Sequence, residues 1–222
     1  MNHRERDYPA FFDVDRTVLE VNSGSEMVRA SLREGLIGIH QLLEALLLTL
    51  LYRFRLLSAE KTINRLVSWF RGREEKMLRD FAERLFHSRL RGAIREGARR
   101  EMVRHRENNA EIVLLSAATS LTCRPLQREL PVDSMICSEV EVQSGLYTGR
   151  ALTPYCYGTE KVARAEAFCR ERGYDLSRAW YYADSASDIP FLEKVGHPVC
   201  VHPDNTLRQE AHRRGWEVVQ WE

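Results

Sequence analysis

The sequence has almost no net charge: 33 Lys and Arg stand against 32 Asp and Glu in 222 residues, a formal +1. No global field therefore favours nucleic acid or an acidic membrane, and partners must be argued from local sites. No CxxC pair occurs, and the five cysteines (Cys123, Cys137, Cys156, Cys169, Cys200) are irregularly spaced and odd in number. That pattern favours reduced thiols over disulfides or a zinc site. The opening MNHRERDYPA lacks an apolar signal region, so a cytoplasmic location is expected. Internal repeats, low-complexity stretches and clustered histidines are also missing. So is any apolar run of membrane-spanning length. The most apolar segment, 36-LIGIHQLLEALLLTLLYRFRLL-57, is broken by His40, Gln41 and Glu44 and then by Arg53 and Arg55. Its uncharged run from Ala45 to Tyr52 falls far short of the roughly 20 residues a bilayer-crossing helix needs. A helix buried in the protein or lying at an interface is expected instead, with a homodimer as the partner it suggests.

The chain is long enough for a core domain with a second, smaller module. Residues 10–14 (AFFDV) form a short apolar run that reads as a buried strand. From Val21 to about Asn108 apolar residues recur at spacings of three and four, as in Leu42, Leu43, Leu46, Leu47 and Leu50, which predicts a helical block. Residues 20–108 hold 18 Lys and Arg against 12 Asp and Glu, so this block alone is basic enough to attract an anionic substrate.

Beyond Asn108, strand and helix signals alternate. The run 111-EIVLLS-116 predicts a buried strand, 119–130 a helix, and 139-EVEVQSGLYTGRA-151 a hairpin turning at Ser144-Gly145. A helix over 160–172 should stop at Gly173. Then 179-AWYYA-183 predicts a strand, followed by the polar loop 184-DSASD-188 and a helix over 189–195 with Pro190 in its first turn. Short strands are expected at 198–201 and 217–220, with a helix over 205–214 between them. Strands separated by helices imply a parallel sheet, whose ligands collect beyond the carboxyl ends of the strands.

The polar residues that follow the three clearest strands are Asp13 with Asp15, Ser116 with Thr119, and Asp184 with Asp188. Three aspartates brought to one sheet edge resist common ionisation, and a divalent cation resolves the conflict. Oxygen ligands without histidine suit Mg²⁺. Lys161, at the start of a helix, can set a positive charge against a phosphoryl group. Ser116 and the amides of Ala117 and Ala118 can donate hydrogen bonds to its oxygens. Together these residues suit phosphoryl transfer.

In that order, 13-DVDRT-17, 111-EIVLLS-116, Lys161 and 184-DSASD-188 resemble the four motifs of the haloacid dehalogenase superfamily of phosphatases, in its phosphoserine-phosphatase-like branch with a helical cap. The resemblance runs from about Ala10 to the C-terminus. It implies a three-layer, Rossmann-like α/β core formed by residues 1–19 and 109–222, with an α-helical cap inserted at 20–108. It further implies an Mg²⁺-dependent phosphomonoesterase acting on a small phosphorylated metabolite. Asp13 would be the nucleophile, carried through an aspartyl-phosphate. Asp15 would be the general acid and base, and Thr17 would help hold the turn. Ser116, Ala117 and Lys161 would bind the phosphoryl group. The metal would be held by Asp13, Asp184 and the backbone carbonyl of Asp15, with Asp188 acting from behind them or through water.

Two positions depart from that pattern. The branch carries a glutamate nine residues after the nucleophile to hold a substrate amine, whereas this chain has Asn22, which disfavours phosphoserine unless Glu20 or Glu26 compensates. Arg16 stands where a small or polar residue is usual and has no assigned role. Other readings of the same residues are transfer to an acceptor other than water, a lipid-phosphate phosphatase docking through the Leu-rich helix, and a non-catalytic phosphate-binding module.

Overall fold

The computed structural model describes residues 6–53, 56–152 and 154–222; Arg55 of the Leu-rich segment lies outside them. Six strands form one parallel sheet: β1 (Tyr8–Phe12), β2 (Ala110–Thr119), β3 (Ser134–Ser138), β6 (Trp180–Ala183), β7 (His197–Val201) and β8 (Glu217–Val219), in the order β3-β2-β1-β6-β7-β8. From β1 the chain winds outward through β2 to β3, then returns to the other side of β1 for β6, β7 and β8. β1 is therefore the switch point of the winding, where such sheets open a crevice for ligands.

Alternation along the strands divides the core into two layers. Ala10 and Phe12 of β1, Ile112 and Leu114 of β2 and Tyr182 of β6 face one side. Phe11, Val113, Leu115, Tyr181 and Ala183 face the other. The first layer is covered by α5 (Glu96–Glu107) and α6 (Ser120–Glu129), through Ala98, Met102, Cys123 and Leu126. The second is covered by α7 (Thr159–Arg172), α8 (Ile189–Leu192) and α9 (Asn205–Arg214), through Phe168, Phe191 and Leu207. This is the three-layer parallel arrangement the alternating pattern implied. Phe12 stacks on Tyr182 with ring centroids 4.5 Å apart, and burying a side chain of this size contributes roughly 1.5–3 kcal/mol.

Between β1 and β2 lie α1 (Ser23–Arg33), α2 (Ile39–Arg53), α3 (Ala59–Ser68), α4 (Glu75–Leu85), a π turn over Phe86–Leu90 and then α5. The helical character expected of residues 20–108 is observed, but the block does not pack as one unit, because α5 lies on the sheet. The hairpin expected around Ser144-Gly145 forms, with β4 (Val140–Gln143) antiparallel to β5 (Leu146–Ala151). It sits against the inserted helices: Tyr147 is buried with Leu78 and Phe81 of α4. Its backbone also bonds to the chain before α4, with Gly72 N–H donating to the Tyr147 carbonyl at 2.8 Å and Tyr147 N–H to that of Arg73 at 2.9 Å.

Other differences from the sequence reading are local. β1 ends at Phe12, before the aspartates, because the chain turns there: Val18 N–H donates to the Asp13 carbonyl. The helix expected over 189–195 is regular only to Leu192. Helix α2 is not buried. It packs on α1 and α3 along one side and exposes Ile39, Leu43, Leu46, Leu47 and Leu50 by 52–63 % along the other. Among the described residues no helix is long and apolar enough to cross a membrane, and all five cysteines are buried and free.

Candidate active site

The register of the sheet brings the site together. Phe12 lies opposite Leu114 of β2 and Tyr182 of β6, so Asp13 and Asp184 leave the sheet at one edge, near Ser116, which is still paired within β2. Asp13 remains tied to that edge, its N–H donating to the Tyr182 carbonyl at 2.9 Å. Beyond it the chain reverses through Arg16, whose φ is +61°. A left-handed backbone is costly for a residue with a Cβ, and here it is held by the Arg16 N–H bond to the Val21 carbonyl at 3.1 Å. The Arg16 side chain is exposed. Thr17 is fully buried, and its hydroxyl is without a hydrogen-bond partner among the described residues. The turn is thus closed by backbone bonds and not by that side chain.

Lys161 is delivered from the opposite helical layer. Gly158, at φ +57°, lets the chain make the sharp entry to α7 that a side chain would resist. Lys161 Nζ then reaches Asp13 Oδ1 at 2.8 Å, Asp188 Oδ1 at 2.6 Å and the Tyr181 hydroxyl at 3.1 Å, all of them buried. Tyr181 in turn donates to Asp188 Oδ1, and Ser185 donates to Asp188 Oδ2 at 3.1 Å. Sequence reasoning did not single out Tyr181. The available signal was a phenol inside an apolar strand, since a buried Tyr hydroxyl usually needs a partner.

The loop after β6 is pinned from outside the motif. Asp204 donates its N–H to the Asp184 carbonyl at 2.8 Å and accepts from Ala186 N–H at 2.9 Å, while its other oxygen caps α9. Ser116 is buried where the β2–β3 register slips, and its Oγ accepts from Ala118 N–H at 3.2 Å. Ala117 lies half-buried beside it.

Asp13, Asp184 and Asp188 are buried, and each presents a carboxylate oxygen within 4.8 Å of the others. One ammonium stands against three carboxylates. Burial, only partly offset by Lys161, raises Asp13 to about 6. Burial together with Asp13 and Asp188 raises Asp184 to about 8. Burial alone would lower Lys161, but Asp13 and Asp188 outweigh it and hold its pKa well above the usual value. An oxygen-only cluster with unbalanced negative charge fits a hard divalent cation. Asp188, expected behind the metal ligands, shares this cluster, whereas Asp15 contributes no side-chain oxygen to it.

Asp15 faces the other way, toward the inserted helices. Ser23 N–H donates to its Oδ1 at 2.8 Å and Asn22 Nδ2 to its Oδ2 at 3.1 Å, and burial raises its pKa. The two aspartates on either side of Val14 therefore occupy separate environments. Of the two residues that could stand in for a glutamate at position 22, the buried Glu26 is paired with Arg29 and Arg89, while Glu20 is exposed.

The family model for haloacid dehalogenase-like hydrolases matches residues 10–193. An inhibition of morphological differentiation protein of Streptomyces azureus is 29% identical over 99% of this chain and 80% of its own length. A phosphoserine phosphatase of Mycobacterium tuberculosis is 28% identical over 94% of this chain and 69% of its own. The crystal structure of a protein of unknown function from Bordetella pertussis Tohama I superposes with a TM-score of 0.90 at 25% identity, covering 96% of this chain and 98% of that one.

Proposed function

Because the chain belongs to the haloacid dehalogenase-like hydrolases, we propose that it is an Mg²⁺-dependent phosphomonoesterase of small phosphorylated metabolites, working through an aspartyl-phosphate on Asp13. The observation that carries this reading is the division of labour in the DVD stretch. Asp13 is buried against Lys161 and two further aspartates, while Asp15 is held apart on the side of the inserted helices.

An Asp13 oxygen attacks phosphorus, and the bond from phosphorus to the ester oxygen breaks as Asp15 gives that oxygen its proton. Water then attacks the phosphorus of the acyl phosphate, Asp15 takes a proton from it, and inorganic phosphate leaves with Asp13 regenerated. Lys161, Ser116 and the Ala117 amide orient the phosphoryl oxygens, and Tyr181 and Asp188 keep Lys161 aimed at Asp13. Asp13, Asp184 and the Asp15 carbonyl would hold Mg²⁺, with Asp188 beside them; when bound, it neutralises charge on the phosphoryl oxygens. The named activity of the Mycobacterium tuberculosis relative supports a phosphomonoester substrate.

We assign the cap role to α1–α4 with the β4–β5 hairpin, which would close over the strand ends and exclude water. The exposed face of α2 is read as a contact between two copies. Its stripe repeats at four and three residues, as in paired helices, and contains no Lys or Arg itself, Arg53 and Arg55 following only after it in the sequence.

Substituting Asp13→Asn tests the nucleophile. Acid quenching of wild-type protein during turnover with ³²P-labelled substrate should trap acid-stable, hydroxylamine-sensitive label, and the variant should trap none. Retained Mg²⁺-dependent phosphatase activity in Asp13→Asn protein free of deamidation would refute the assignment.

A further inference from the structure

Asn22 is bonded at both ends of its amide. As the N-cap of α1, its Oδ1 accepts from Ser25 N–H at 2.9 Å and from the Ser25 hydroxyl at 3.0 Å. Its Nδ2 donates to Asp15 Oδ2 at 3.1 Å. The orientation of the amide follows from its neighbours. A backbone N–H requires the carbonyl end, and a carboxylate requires the NH₂ end. With Ser23 N–H on Oδ1, both oxygens of Asp15 are gripped by the first turn of α1. Each keeps a lone pair for a proton. Asp15 is otherwise a short side chain immediately before the left-handed Arg16, with Lys161 committed to Asp13 and Asp188.

We infer that Asn22 is a positioning residue, which fixes the Asp15 carboxyl toward the ester oxygen and couples the general acid to the first inserted helix. The inference rests on the acid–base role read for Asp15 above. Oδ1 already accepts two hydrogen bonds within the protein, so the amide has no acceptor left to hold a substrate ammonium. Position 22 therefore serves the chemistry of proton delivery and not recognition of a substrate amine.

Proton delivery matters in proportion to how poor the leaving group is, and this separates positioning from a structural role. Serine at position 22 keeps an N-cap oxygen but has no amide to reach Asp15. In Asn22→Ser, kcat/KM for an alkyl phosphate that the wild-type protein turns over should fall by about tenfold or more, within the range general acids contribute. For p-nitrophenyl phosphate, whose phenolate leaves unaided, kcat/KM should stay within about twofold. The thermal midpoint should be unchanged. Equal losses with both substrates, or no loss with either, would overturn the inference. If the Ser variant is unstable, Asn22→Asp, an equally good cap that replaces the donor with an acceptor, must give the same split. Asp15→Asn is the separate control. If it hydrolyses the alkyl phosphate normally, the role of Asp15 itself is wrong. If it does not, and Asn22→Ser does, only the role of Asn22 fails.

Discussion

At Asp184 the energetic conflict of the site is most evident. Its pKa of about 8 lies far above the ordinary 3.8 because burial and two neighbouring carboxylates oppose ionisation, and Asp13 is raised to about 6 beside it. Groups raised in this way bind more protons folded than unfolded. Between 3.8 and about 8 their contribution therefore favours the native state at the acid end and is lost as pH rises. In the presence of EDTA, the thermal midpoint should fall as pH is raised from 5 to 8, most steeply at the acid end of that range, where both groups keep protons in the folded state that the unfolded chain has lost. Saturating Mg²⁺ should restore it, by an increment that grows with pH. Differential scanning fluorimetry across that range, with and without Mg²⁺, measures both; an increment independent of pH would contradict a cation held by these carboxylates. Arg16 now has a backbone role as the left-handed residue of the turn after Asp13, and its charge favours ionisation of Asp15 and Asp184.

At the scale of elements, β1 sets the position of Asp13 through its two faces. Phe12 packs on Tyr182 in one layer, and Phe11 packs edge-on against Phe168 and Phe191 in the other. Truncating Phe12→Ala should cost about 3–5 kcal/mol in urea unfolding, because the close-packed ring between β1 and Tyr182 has no ready replacement. Activity should fall at least as far as the folded fraction, since Asp13 follows Phe12 directly and is tied to the same Tyr182. The start of α7 matters differently. Gly158→Ala strains a φ of +57° three residues before Lys161, and should lower kcat more than it lowers stability, measured by comparing turnover with the urea midpoint. The parallel strands and the end of α7 were legible in the sequence because short apolar runs and a terminal glycine are local signals. The place of α5 was not, since a helix that covers a sheet and one that covers other helices show the same apolar spacing.

For the whole molecule, the open question is what covers α2. Five apolar side chains more than half exposed along one helix form the sort of patch that marks an interaction surface. If two copies pair there, light scattering should give twice the mass of the chain, and Leu43→Ser with Leu47→Ser should return it to a monomer without loss of fold. Flotation with anionic vesicles examines the rival lipid surface, and co-flotation of wild-type but not doubly substituted protein would favour it instead. Ion pairs inside residues 20–108, such as Arg65 with Glu44 and Arg84 with Glu34, cancel equal charges and leave the basic surplus of that block in place, whereas Arg91 and Arg99 reach outside it to Glu129.

The sequence by itself determined the order of strands and helices, the apolar layers, and the aspartates, serine and lysine at the strand ends, because each depends on near neighbours in the chain. Only the tertiary structure decided how those groups divide. Lys161 lies 148 residues from Asp13 and pairs with it through a buried contact. Asp188 joins the cluster of Asp13 and Asp184, Tyr181 completes the network, and Asn22, without the charge of a glutamate, bonds to Asp15. These outcomes depend on burial and on distances between remote segments, and spacing along the chain carries no record of either.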